Sequence, residues 1–145
     1  MKILVAISDQ QMGESVLEHL KRTPVRNDVE IHFVHVVQWL PNKKEKESWP
    51  GLTEFAEAKW DEASQLLDRM AKEFRKTNPN CDIRQQVLHG HPGEEILRYV
   101  QQHKIDETVV APHQRNELSK FFCGNVSAEL MQHLPCTLTI VKTTK

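Results

Sequence analysis

The sequence predicts an α/β fold with one doubly wound, five-stranded parallel sheet and helices on both of its faces. Two observations carry this. Short apolar runs of strand length alternate with segments of helical period along all 145 residues, and no apolar run reaches membrane-spanning length. Strands that alternate with helices are joined by crossovers, and crossovers in one sheet are right-handed and leave neighbouring strands parallel. A chain of this length buries enough surface for one continuous core, so residues 1–145 read as a single domain.

The elements follow in order. Lys2 to Ile7 is a short run rich in β-branched residues, and the helix after it carries Val16, Leu17 and Leu20, with Ser8 and Gln11 at capping-box spacing. Val29 to Val37 is the second strand. From about Thr53, the positions Ala56, Trp60, Ala63, Leu67, Met70 and Phe74 step by four and three and trace one face of a long helix. Cys81 to Leu88 is a less apolar third strand. Pro92, Glu94 and Glu95 suit a first helical turn, Ile96, Leu97 and Val100 give that helix an apolar side, and His103-Lys104 fall at its negative end. The fourth strand is Glu107 to Ala111. After a polar loop from Pro112 to Cys123 come a helix with Val126, Leu130, Met131 and Leu134 and a last strand from Thr137 to Val141.

Composition narrows the partners. Lys and Arg total 19 against 20 Asp and Glu, mixed along the chain, so there is no basic stripe for nucleic acid. The apolar start is interrupted by Ser8-Asp9 too soon for a signal peptide, and the three cysteines form no metal-ligand spacing, which points to a soluble cytoplasmic protein. Among the eight histidines the nearest pairs, His89 with His91 and His32 with His35, lack a carboxylate or cysteine at zinc spacing, so no metal is expected. Phosphate-loop, nucleophile-elbow and histidine-glutamate zinc signatures are absent from the sequence. Cys123 precedes a helix start, but Phe121 and Phe122 beside it favour burial over reactivity. In the connection from Gln38 to Leu52, the charged run Lys43 to Glu47 reads as solvated, and Trp39 and Trp49 read as packed.

In open α/β sheets ligands bind beyond the carboxyl ends of the strands, where the winding reverses, here between the first and fourth strands. Ile7-Ser8-Asp9, Val36-Val37 and the segment from Ala111 to Ser127 meet there. Together with His35-Val36-Val37, Gly90-His91-Pro92, Gly124-Asn125-Val126-Ser127 and Pro135-Cys136-Thr137-Leu138-Thr139-Ile140-Val141, these segments resemble a universal stress protein along nearly the whole chain. The resemblance implies a Rossmann-like fold, a homodimer paired through the last strand, and a nucleotide crevice at the strand ends.

Nucleotide-binding members of that family carry a glycine after strand four, a second three residues on, and after nine more a glycine followed by serine or threonine. Here these positions hold Ala111, Gln114, Gly124 and Asn125, and the strand-one aspartate associated with adenine falls on Ser8, with Asp9 beside it. Alanine adds a methyl where backbone must approach a phosphate and costs about 1 kcal/mol where φ must be positive. Gln114 adds more bulk, and Pro112 has no amide hydrogen to donate. The helix start at Gly124-Asn125-Val126-Ser127 retains free amides that favour an anion, with Arg115 and Lys120 as added charge. The candidate site is therefore Ser8, Asp9, Val36, Ala111, Arg115, Gly124, Asn125, Val126 and Ser127, with no catalytic residue. The expectation is a regulatory or stress-protective protein with weak or no ATP binding. The alternatives are a nucleotide-responsive module holding ATP or AMP and a slow ATPase.

Overall fold

A computed structural model describes residues 1–22, 28–38, 42–111 and 125–141, with Lys46 and residues 125–128 described as backbone alone. Its five strands are β1 (Lys2–Ala6), β2 (Glu30–Val37), β3 (Asp82–His89), β4 (Glu107–Val110) and β5 (Thr137–Ile140). The helices are α1 (Gln10–Arg22), α2 (Lys43–Ser48), α3 (Leu52–Thr77), α4 (Pro92–His103) and α5 (Asn125–His133). All strand pairs are parallel, in the order β3-β2-β1-β4-β5. The chain winds outward through β2 and β3, then returns past β1 to β4 and β5. The reversal therefore lies between β1 and β4.

Burial explains why these runs became strands. Leu4, Val5, Ala6, Ile31, Phe33, Val34, Val109 and Val110 are all fully buried, as expected for a parallel sheet covered on two faces. On the α3 side, Phe33 meets Phe74 edge to face with ring centroids 5.9 Å apart, and Ala63, Leu66, Leu67, Met70 and Ala71 complete the seam. The α4 side takes Ile96, Tyr99 and Val100. No helix among the described residues is long and apolar enough to cross a membrane.

Several local expectations change. Trp60, placed on the apolar stripe of α3, is 38% exposed although Ala56 and Ala63 on either side of it are buried; Met131 of α5 is 68% exposed while Leu130 beside it is fully buried. The Gln38–Leu52 connection contains the short α2, capped by the Asn42 side chain, which accepts from the Glu45 amide at 2.8 Å. Trp49 is not packed but 66% exposed. Trp39 and the segment from Pro112 to Cys123, with Cys123 itself, lie outside the described residues.

Candidate functional site

The register Val5↔Val109 carries Ile7 and Ala111 to one level at the carboxyl edge of the sheet. Ile7 extends the ladder by donating its amide to the Val34 carbonyl at 2.9 Å. Ile7 and Ala111 are fully buried, and Val36 and Val37 nearly so. The candidate crevice thus has an apolar floor, with Ser8 and Asp9 half-buried at its β1 side.

Ser8 and Asp9 sit in a bend after β1, and their side chains are already engaged. The helix cap is Asp9 rather than Ser8: its carboxylate accepts from the Met12 amide at 2.8 Å, while its carbonyl accepts from Gly13 at 3.0 Å. The Ser8 hydroxyl donates to the Met12 sulfur. A carboxylate holding a helix terminus gains from the helix dipole where it is, so turning it toward a base would cost that cap.

His35 completes this corner. Its Nδ1 donates to the Ile7 carbonyl at 2.7 Å, which fixes the tautomer and ties β2 to the turn carrying Ser8. Burial pushes the His35 pKa below the ordinary imidazole value, against the pull of the Ile7 carbonyl and the Asp9 charge. The ring is therefore neutral near pH 7 and leaves Nε2 as an acceptor. Histidines 32 and 35 do not converge, since His32 bonds to Tyr99 of α4 instead. Among the described residues no group of three or more His, Cys, Asp or Glu is placed to hold a metal ion.

On the β4 side, α5 begins at Asn125, and Asn125, Val126 and Ser127 are described only as backbone in its first turn. Arg115 and Gly124 lie outside the described residues. Two features that the sequence reading missed set the angle of α5 and α4. Gly93 leaves room for the Glu129 carboxylate of α5, which a Cβ there would meet at 2.5 Å, and His91 Nδ1 lies 3.9 Å from the same carboxylate. Gly90 has φ +139°, where L side chains are strained, and turns the chain from β3 into α4 over Glu95.

A doubly wound parallel sheet whose winding reverses between β1 and β4, with a helix opening after β4, defines a Rossmann-like α/β fold. The family model for the universal stress protein family matches residues 1–142, and the chain belongs to that family. A universal stress protein from Methanothermobacter thermautotrophicus is 26% identical over 147 residues, covering 98% of this chain and 95% of its own. Among solved structures, a universal stress protein from Lactobacillus plantarum superposes with a TM-score of 0.73 at 21% identity, covering 97% of each chain. A family member from Arabidopsis thaliana, solved with AMP bound, superposes with a TM-score of 0.68 at 16% identity, covering 99% of this chain and 92% of that one. The likeness to these structures lies in the fold.

Proposed function

We propose that this protein is a single-domain, cytoplasmic, homodimeric universal stress protein that acts by association or regulation, with no catalytic cycle, and whose crevice binds ATP weakly or not at all. One observation carries the reading: the two polar side chains at the adenine end, Ser8 and Asp9, are spent on Met12, and alanine stands at position 111 where a glycine would leave room. The nucleotide-responsive alternative is favoured by the helix that still opens after β4 and by the AMP in the Arabidopsis relative. Calorimetric titration with ATP, ADP and AMP decides between them. Binding of millimolar strength or weaker is expected, micromolar ATP binding overturns the reading, and turnover above a Gly124→Trp control is what a slow ATPase requires.

Support for the dimer comes from the contrast between the two sheet edges. The outer strand β3 exposes Asp82, Arg84, Gln85 and Gln86, whereas β5 has neither charge nor proline, with Thr137 exposed and Ile140 46% exposed. An uncharged edge invites another strand. Thr137 and Val141 donate their amides inward to Asp106 and Val110, so Thr139 also faces β4, while the amides of Leu138 and Ile140 face outward. Ile140→Pro therefore removes an outer donor and spares the inner ladder. Light scattering should show a dimer for the natural chain and a monomer for Ile140→Pro; an unchanged mass removes β5 as the interface.

A further inference from the structure

The amino end of the sheet, opposite the crevice, holds a polar cluster under α4 that the proposed function does not use. His32 is 1% exposed, with Nδ1 2.5 Å from the Tyr99 hydroxyl and Nε2 2.9 Å from Glu30 Oε2. A neutral ring satisfies both contacts, with Tyr99 donating to Nδ1 and Nε2 donating to the carboxylate. His103 lies one helical turn after Tyr99, stacked on its ring with centroids 4.0 Å apart and 5.6 Å from the His32 ring.

The charges around this stack are unequal. Lys2 of β1 and Arg84 of β3 face it, with Glu30 of β2 as their shared carboxylate: Arg84 Nε is 2.8 Å from Glu30 Oε1, and Lys2 Nζ 4.0 Å from Glu30 Oε2. Asp82 stands level with Glu30 at the exposed β3 edge, and Asp106, in the link to β4, accepts from the Lys2 backbone amide at 2.8 Å. Lys2 Nζ also donates to the His103 carbonyl at 3.2 Å. A proton on His103 would thus join Lys2 and Arg84 around a carboxylate that already serves both of them and His32.

The end of α4 closes on a left-handed cap. Lys104, its C-cap, has φ 54° and ψ 52° and donates its amide to the Val100 carbonyl, in a left-handed conformation that a non-glycine residue adopts at some cost. That strain is relieved when the last turn lets go.

We infer that the His32–Tyr99–His103 cluster is a proton-responsive latch, in which protonation of His103 releases the last turn of α4 from the sheet. Burial, followed by His32, Lys2 and Arg84, holds His103 below the ordinary imidazole value of 6.5, with Glu30 opposing. The sign follows: the released turn takes up a proton at higher pH than the docked one, so docking is complete above 6.5 and weakens as pH falls through the docked pKa. His103 sits at the negative end of α4, yet its neighbours oppose the charge that the sequence reading expected to be favoured there.

Tyr99 is the only tyrosine in the chain, so ring-carbon labelling of tyrosine yields one reporter inside the cluster. Titrated from about pH 7.5 to about pH 5, its NMR signal should move with a midpoint below 6.5. Over the same range, hydrogen exchange at residues 100–104, corrected for intrinsic rates, should quicken several-fold as the last turn is released. His103→Phe keeps a ring on Tyr99 and takes no proton; His103→Gln takes no proton and has no ring. Both should hold the signal and the protection constant. A Tyr99 signal that stays still in the natural chain, or moves identically in both variants, overturns the latch.

Discussion

Phe33→Ala should lower the unfolding free energy by about 3–5 kcal/mol, the usual cost of emptying a phenylalanine site that its surroundings cannot refill. Phe33 is fully buried on β2, with Phe74 of α3 edge-on to its ring. The neighbouring strand supplies Val5 as its register partner, also fully buried, so the cavity opens inside the one core the sheet and α3 share. Removing the ring deletes its apolar burial and its aromatic pair together. Urea unfolding measures it, with Met131→Ala as the control. Met131 is 68% exposed, and its loss should fall within about 0.5 kcal/mol of zero. A Phe33→Ala loss under about 1 kcal/mol would mean that the β2–α3 seam is not the core described.

The second large effect is a gain. The combined variant Ser8→Asp, Ala111→Gly, Gln114→Gly, Asn125→Ser restores the family's pattern at each altered position and should bind ATP about a hundredfold more tightly than the natural chain, roughly 2.7 kcal/mol. Each change has its own reason. Aspartate at position 8 supplies a carboxylate apart from Asp9, which remains on Met12. Glycine at 111 and 114 removes a methyl and a long amide from backbone that must come close to phosphate. Serine at 125, where α5 begins, adds a hydroxyl at a helix terminus that already favours an anion. If affinity stays unchanged, bulk at those positions is not what keeps ATP out.

The strands of the sheet's centre were legible because they are concentrated apolar runs: Ile3, Leu4 and Val5 are core residues in β1, as Val34, Val36 and Val37 are in β2, while β3 at the edge is polar and was placed by its position between two helices. The stripe from Ala56 to Phe74 was legible for the same reason, with Trp60 the exception. A helical period states which residues share a face but not how much of each side chain the partner surface covers, so Trp60 and Met131 read as core and stand exposed. The cap shifted from Ser8 to Asp9 because serine and aspartate are equally suited to cap a helix start; in the fold the Asp9 carboxylate takes the Met12 amide and the Ser8 hydroxyl goes to the Met12 sulfur. Within the candidate site, Ser8 and Ala111 were visible as departures from the family pattern. The His35 bond to the Ile7 carbonyl was not, because it joins residues 28 apart. The His32–Tyr99 pair spans 67 residues and two elements and leaves no local trace.

The most direct measurement is a calorimetric titration of ATP into the natural chain and the four-substitution variant at one salt concentration. The account predicts heat no stronger than millimolar binding for the natural chain and clear saturation for the variant. Micromolar saturation by the natural chain would contradict it.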